Sequence, residues 1–435
     1  MAAAFARHVP PGARVALAYS GGMDSTVLLH VLAGLRDVRA FELAAVHVHH
    51  GLSPHADAWA RFCADRCAAL GVPLRIVRVQ LAPRDPAGVE AAARRARWLA
   101  FAACDADFLA TAHHQDDQAE TLLLQALRGA GPKGLAGMAE CQRPRGWQAA
   151  QLRPLLSLSR TLLLAAAREQ SLEWVEDESN ADLHHRRNVL RHAVLPTLAT
   201  HFPGSPATFA RAAAHQAEAA ALLDELAAID ATEALAATSA GWRLDCVVLA
   251  SLSEARGRNL LRHFIARHGV ALPPARRLDE ALRQATLGRP DARVCVDLGA
   301  AQLWVWRGGA YVVRPFTPPP PAVWRGEGAL NLPGVGCLTL APATAEGLRQ
   351  SALEAGALVL GCRRGGERMR PQAGGATRSL KTLLQEQAMP PWLRARVPVL
   401  RCGDAIVWVG GVGCDAEWLA GTGETGLRVT WCAAS

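Results

Sequence analysis

Six consecutive residues, Ser20-Gly21-Gly22-Met23-Asp24-Ser25, carry the first chemistry in this chain. Gly21 and Gly22 let the backbone turn tightly and approach a ligand without a Cβ in the way. A short apolar strand, Val15 to Tyr19, precedes them, and a helix from Ser25 to Leu35 follows. The turn therefore presents backbone N–H groups at a helix N-terminus, where an anion is favoured. The Ser20 and Ser25 hydroxyls add donors, and phosphate is the natural ligand. Asp24 would repel a bare phosphate, which points to a bridging magnesium ion or to a cationic group. The G-x-x-x-x-G-K-[ST] spacing is absent, so this is not a Walker A loop. A plain strand–turn–helix would explain a lone Gly-Gly, but not the whole hexapeptide in this context.

A second cluster is His114-Gln115-Asp116-Asp117-Gln118-Ala119-Glu120-Thr121, directly after the strand Phe108 to Thr111. Asp117 and Glu120, three apart, share a helix face, and Asp116 and Glu120 are also neighbours. Paired carboxylates at a strand end can hold magnesium or an ammonium group. Helix-start chemistry alone would account for Asp116 and Asp117; it accounts less well for Glu120 and His114. A third segment, Val46-His47-Val48-His49-His50-Gly51-Leu52-Ser53, is rich in histidine. Alternation puts His47 and His49 on one face, but with no acidic or cysteine ligand nearby in sequence it reads as a strand end shaping a nucleotide pocket.

The elements that must position these residues alternate between strand and helix. Leu43 to Val48, Leu74 to Val79 and Phe108 to Thr111 join Val15 to Tyr19 as strands. Helices from Ala56 to Leu70, Val89 to Cys104 and Asp116 to Arg128 lie between and after them. Such alternation predicts a doubly wound, mostly parallel α/β sheet with ligands at the strands' carboxyl ends. Residues 203–315 read as a mainly helical middle domain. It has a long alanine-rich helix from Ala207 to Ala228, a second helix from Ser253 to His268, and strands at Val294 to Leu298, Leu303 to Trp306 and Tyr311 to Val313, with Gly308-Gly309 as the hairpin turn. Pro315 and Pro318 to Pro321 form a stiff linker. Residues 322–435 read as a small β-rich domain with one helix, Ser379 to Gln387. Residues 1–202 form the catalytic domain in this division.

The chain has 435 residues and a net charge of +8, which favours a polyanionic partner. Lys133 and Lys381 are the only lysines, so arginine carries the positive charge. The eleven cysteines contain no C-x-x-C pair, which argues against a zinc ribbon or disulfide framework and fits a reducing cytoplasm. The N-terminus is a poor signal peptide, with Arg7 breaking the apolar stretch, and no apolar run is long enough to span a membrane. Arg363, Arg364, Arg368 and Arg370, then Gly374-Gly375, Arg378-Ser379-Leu380-Lys381 and Pro390-Pro391-Trp392-Leu393-Arg394, place basic groups beside glycine turns, a pattern suited to phosphate contacts with RNA.

The hexapeptide resembles the signature of the PP-loop ATP pyrophosphatases. The H-x-D-D-x-x-E-T pattern after it resembles tRNA(Ile)-lysidine synthetase. The histidine strand, Arg94, Arg97 and Trp98 in the helix Glu90 to Phe101, Trp174 to Asn180 (W-x-x-D-x-S-N), Arg186 to Arg191 (R-N-x-x-R), and the G-G-x-x-R-x-L-K and P-P-W-L-R strings fit the same family. The resemblance implies a cytoplasmic ligase that binds ATP, Mg2+, free L-lysine and an isoleucine tRNA with a CAU anticodon. In that reaction the wobble cytosine O2 is adenylated, pyrophosphate leaves, and the lysine ε-amine displaces AMP at C2 to give lysidine. It implies nucleotide contacts from Ser20, Gly21, Gly22, Met23, Asp24, Ser25, His49 and His114, with Asp24 also a magnesium ligand. Catalytic roles would fall to Asp24, Asp117 and Glu120, and to an arginine at the α-phosphate that is one of Arg97, Arg187 and Arg191. Arg363, Arg364, Arg378, Lys381 and Arg394 would dock the tRNA. A tRNA thiolase with the same ATP chemistry is the nearest alternative, disfavoured by the cysteine spacing. A small-molecule amidotransferase-type synthetase lacks a glutaminase unit here. A non-catalytic RNA-binding protein would not be expected to keep Asp24, Asp117 and Glu120. A homodimer through the catalytic domain is a further expectation.

Overall fold

The computed structural model describes residues 1–80, 88–178, 182, 184, 186–288, 294–324, 328–344, 346–354 and 357–433. Ser179 and Asn180 of the W-x-x-D-x-S-N string lie outside the described residues. The chain divides into two compact units, Met1–Leu223 and Asp224–Ser435.

The first unit begins with a short helix α1 (Ala2–His8), and then β1 (Arg14–Ala18), α2 (Met23–Arg39), β2 (Glu42–His49), α3 (Ala56–Ala69), β3 (Leu74–Arg78), α4 (Val89–Ala102), β4 (Phe108–Ala110) and α5 (Gln115–Ala126) follow in alternation. A short helix α6 (Pro132–Leu135), strands β5 (Cys141–Gln142) and β6 (Ala150–Leu152), and helix α7 (Arg160–Glu169) complete the sheet and its cover. The sheet order is β3-β2-β1-β4-β6-β5. All neighbours pair in parallel except β5 with β6. Chain order reverses at β1, which pairs with β2 on one side and β4 on the other. The switch point therefore lies between β1 and β4, and the loops that leave their carboxyl ends face each other there.

Both faces of β1 are buried, as a doubly wound sheet requires. Val15, Leu17 and Tyr19 pack with Val27, Leu28, Leu29 and Leu32 of α2, whereas Ala16 points into a second cluster with Val46, Leu109 and Trp147. The alternation expected for a half-buried strand is thus replaced by a continuous apolar run. Helix α2 passes the expected Leu35 and stops one turn later, at Ala40, which takes a left-handed conformation at φ 51°. Gly34 does not end it, because a helix tolerates one glycine where nothing forces a turn.

A helix begun at Ser205 in the first unit runs on to Ala234 in the second, longer than the predicted Ala207 to Ala228. A five-stranded sheet follows, with strands in the order 235–238, 241–245, 309–313, 302–306 and 294–297. The first two strands were not legible: Leu235–Thr238 is short and alanine-rich and carries no alternating signal. Helices Cys246–Ser251, Glu254–Arg267 and Ala275–Leu287 form one core with this sheet. The hairpin turn sits one residue earlier than expected. Arg307 and Gly308 both have positive φ, 47° and 69°, as a type I′ turn needs. Gly309 opens the strand, and a Cβ there would fall 2.5 Å from Arg243 Nε. Beyond 314–321, which carry no regular structure, lie a five-stranded and a four-stranded sheet and the helix Leu380–Glu386, capped by Ser379.

Trp392 joins the two parts of this unit. Its ring lies 6.0 Å from that of Trp304, 5.9 Å from Trp306 and 4.7 Å from Tyr311. Replacing Trp392 by alanine should cost about 3–5 kcal/mol. A urea melt that shows no loss would mean that these rings pack independently of it.

Candidate active site

The loop Ser20–Ser25 leaves β1 and opens α2 at the switch point. Gly21 has φ 84°, which disfavours any side chain. A Cβ there would also lie 2.9 Å from Val175 Cγ2 and 3.0 Å from Cys63 Sγ. Gly22 is the N-cap of α2. The two serines brace the turn: their hydroxyls are 3.0 Å apart, Ser25 Oγ donates to Gly22 O at 3.0 Å, and Gly22 N–H donates to Ser20 Oγ at 3.3 Å. Met23 is buried beneath. Ser25 is buried as well, whereas Ser20 is exposed, so the loop offers ligands its backbone N–H groups and the Ser20 hydroxyl.

Across the switch point, α5 presents its first turn. His114, nearly inaccessible, stands among three carboxylates. Its Nε2 is 3.7 Å from Asp24 Oδ2 and 3.4 Å from Asp117 Oδ2, and its Nδ1 is 3.6 Å from Asp116 Oδ2. Burial opposes the imidazolium, but Asp116, Asp117 and Asp24 outweigh it and raise the His114 pKa above its ordinary value. Burial pushes the Asp24 carboxyl upward, against the pull of His114. Asp24 Oδ1 is buried without a hydrogen-bond partner. An acceptor left in that state at a phosphate-type loop suits a cation or a donor from a ligand. Asp116 also accepts from Arg160 N–H at 2.8 Å, and this ties it to the start of α7.

Asp117 and Glu120 of the same helix belong to a four-residue charge cluster. Arg187 Nε donates to Glu120 Oε2 at 2.5 Å, and its Nη2 to Asp117 Oδ1 at 3.0 Å. Arg191 Nε donates to Glu120 Oε1 at 2.6 Å, and its Nη2 to Asp117 Oδ1 at 3.0 Å and Glu120 Oε2 at 3.1 Å. The two arginines are four residues apart, one in the helical turn Arg186–Val189 and one in the π-helical turn Leu190–Val194. They therefore share a face, as Asp117 and Glu120 do on α5. Burial works against the Asp117 carboxylate, yet His114, Arg187 and His113 together hold its pKa below the ordinary carboxylate range. A depressed carboxyl contributes stability above its unfolded pKa of roughly 4 and loses it as pH falls through its lower folded value.

Of the sequence-predicted residues, Asp24, His114, Asp117, Glu120, Arg187 and Arg191 come together here. Arg97 does not join them among its described contacts; its Nε donates to His50 Nε2 at 3.4 Å at the end of β2. His49 turns toward α3, with Nε2 3.1 Å from Asp57 Oδ1 and 3.3 Å from Arg78 Nη1. Two histidines were missed, the second of one HH pair and the first of the other. Burial lowers the pKa of His50 to about 4, helped by Arg97, and that of His113 to about 4. His113 Nδ1 is 2.9 Å from Thr111 Oγ1. The doubled His-His strings were the only signal available for either.

In the second unit, Arg363, Arg364, Lys381 and Arg394 line one open cavity of about 380 Å3. Arg394 is buried, and its Nε donates to Met389 O at 2.9 Å. Arg378 does not line that cavity and is ion-paired with Glu386. Among the described residues no group of His, Cys, Asp and Glu could hold a metal by itself.

Three family models match the chain: a PP-loop domain over residues 2–198, a TilS substrate binding domain over 244–311 and a TilS substrate C-terminal domain over 358–431. A tRNA(Ile)-lysidine synthase of Aromatoleum aromaticum is 45% identical, over 97% of this chain and 98% of that one. The synthase of Nitrosomonas europaea is 40% identical, over 97% and 93%, and that of an Azoarcus species 43%, over 98% and 93%.

The charge cluster predicts an asymmetry. Glu120 is 1% exposed, whereas the Arg187 and Arg191 side chains are 35% and 31% exposed. Removing both guanidiniums (Arg187→Ala with Arg191→Ala) strands buried carboxylates and should cost about 3–5 kcal/mol. Glu120→Ala should cost distinctly less, since the arginines can turn to water. Equal losses in urea melts would contradict this picture.

Proposed function

Because the chain belongs to the tRNA(Ile)-lysidine synthase family, we propose that it ligates L-lysine to C2 of the wobble cytidine of a CAU-anticodon isoleucine tRNA, at the expense of ATP. The observation that carries this reading is the meeting of Asp24, His114 and Asp117 beside the Ser20–Ser25 loop, with Glu120 linked to Asp117 through Arg187 and Arg191.

The backbone N–H groups of that loop receive the β and γ phosphates of ATP. Asp24, with its orphaned Oδ1, would hold Mg2+, which supplies charge neutralisation at the phosphates when bound. The cytosine O2 attacks the α-phosphorus, an O–P bond forms, and the α–β bond breaks with pyrophosphate taking the electron pair. The lysine ε-amine then attacks C2, a C–N bond forms, and AMP leaves with the C2 oxygen.

Asp117 and Glu120 are the acceptors for the ε-ammonium group before it reacts. In the unliganded site their oxygens are already taken by Arg187 and Arg191. Substrate cation and guanidinium therefore compete for the same acceptors. The phosphates of ATP are the stronger pole for the arginines, which bind phosphate in a fork and cannot lose their protons. On this account ATP draws Arg187 or Arg191 to the α-phosphate and vacates the carboxylates for lysine. Where Arg187 is the one that leaves, one of the groups that depress the Asp117 pKa goes with it, with His114 remaining, so the carboxylate becomes a somewhat better base when the amine must give up its proton.

The cavity of Arg363, Arg364, Lys381 and Arg394 is assigned to tRNA phosphate contacts, and Arg378 to the rim of the same domain. The division into residues 1–202, 203–315 and 322–435, a cytoplasmic location and a homodimer complete the proposal.

Radiolabelled L-lysine should enter transcripts of the CAU isoleucine tRNA only when ATP is present, and should not enter methionine tRNA, which shares the anticodon. A folded, ATP-binding protein that labels neither tRNA would overturn the reading, and sulfur transfer would be assayed next.

A further inference from the structure

His50 follows β2 directly, at the carboxyl edge of the sheet. The neighbouring strand end is that of the phosphate loop: Tyr19 N–H donates to Val46 O at 2.9 Å, and His47 Nδ1–H donates to Tyr19 O at 3.0 Å. In that register, where Ala18 pairs with Val46, Ser20 falls opposite Val48, and His50 follows two residues further along β2, on the β2 side of the phosphate loop. Arginine has no acceptor, so the contact from Arg97 Nε must fall on a lone pair of His50 Nε2. That assigns the tautomer, and the ring proton belongs on Nδ1. His50 Nδ1 is buried and has no hydrogen-bond partner. A buried donor without an acceptor is costly and is uncommon outside sites that await a ligand. The ring stays neutral across the working pH range, because burial and Arg97 both disfavour the imidazolium; Asp177 is the acidic group that opposes them.

We propose that His50 is a catalytic residue of the nucleotide site, bracing Arg97 through Nε2 and donating Nδ1–H to an oxygen of the α-phosphate. This rests on the ATP-dependent adenylation proposed above. The loop after β1 takes the departing pyrophosphate, and the adjoining strand end offers the α-phosphate donors in addition to Arg187 or Arg191. The Arg97 guanidinium and the His50 N–H stand side by side there, a cation and a neutral donor suited to one anionic oxygen on which charge builds during transfer.

The two nitrogens can be tested separately. An asparagine amide reaches the position of Nδ1 and keeps the donor, whereas a glutamine amide reaches that of Nε2 and keeps only the brace on Arg97. Single-turnover pyrophosphate release would be measured with ATP and the CAU isoleucine tRNA for the full chain and for His50→Ala, His50→Asn and His50→Gln, with urea melts alongside. His50→Ala should release pyrophosphate about 10²-fold more slowly at saturating ATP, with little change in KM, as expected for loss of one donor to a developing charge. His50→Asn should recover roughly tenfold of that loss, and His50→Gln should not. An alanine variant within about threefold of the parent, or asparagine and glutamine variants that behave alike, or recovery by glutamine alone, would overturn the assignment. A parent chain that releases no pyrophosphate would overturn the adenylation reading as well, so the two failures are told apart by the parent.

Discussion

Two carboxylates and two guanidiniums, bonded crosswise in a mostly buried site, are the constraint around which this first unit is arranged. Glu120 is almost fully buried and meets both Arg187 and Arg191; Asp117 meets both as well. Unpaired charges at such depth cost several kcal/mol each. The segment 186–194 is therefore tied to α5, and α5 is fixed in turn by β4 and by the contact of Asp116 with α7. Charge balance then dictates what a ligand can do here. A cation can reach Asp117 and Glu120 only if a guanidinium leaves, and a guanidinium can leave only if another anion receives it. An enzyme that brings together a polyphosphate and an amine supplies both.

The histidines divide along the same lines. His114, beside Asp24, Asp116 and Asp117, is pulled toward its charged form. His50 beside Arg97, and His113 within a buried site that also contains Arg153 and Arg187, are driven toward neutrality. Identical side chains within one sheet edge thus differ: the imidazolium is favoured near the carboxylates and the neutral ring elsewhere. Neighbours, rather than residue type, make that difference.

Much of this was legible in the sequence because the signals were local. Gly21-Gly22 between an apolar run and a helix, and Asp117 and Glu120 at helical spacing, fix loop and face with few alternatives. The parallel sheet followed from the alternation of strand and helix. What was not legible depends on contacts between distant segments. The pairing of Arg187 with Glu120 spans 67 positions, and no periodicity encodes it. Sequence could name three candidate arginines but could not separate Arg97, which goes to His50, from the two that close on the carboxylates. The family resemblance implied a nucleotide contact from His49, yet Asp57 and Arg78 hold it, and the residue after the strand, His50, is left with an unmet donor. Arg378 looked equivalent to Arg363 and Arg364 in a basic string, and Glu386 draws it aside. Short alanine-rich strands such as Leu235–Thr238 had no pattern to read.

The central claim is that the arginines and the amino-acid substrate take turns on Asp117 and Glu120. Isothermal titration of L-lysine into the full chain, with and without a saturating ATP analogue that carries a methylene bridge between the α and β phosphates, tests it most directly. The account predicts that the analogue tightens lysine binding by roughly tenfold or more, a coupling of about 1.4 kcal/mol. The same coupling should disappear in an Arg187→Ala and Arg191→Ala variant that remains folded. Lysine affinity that is the same with and without the analogue would contradict the exchange and leave the carboxylates with a purely structural part.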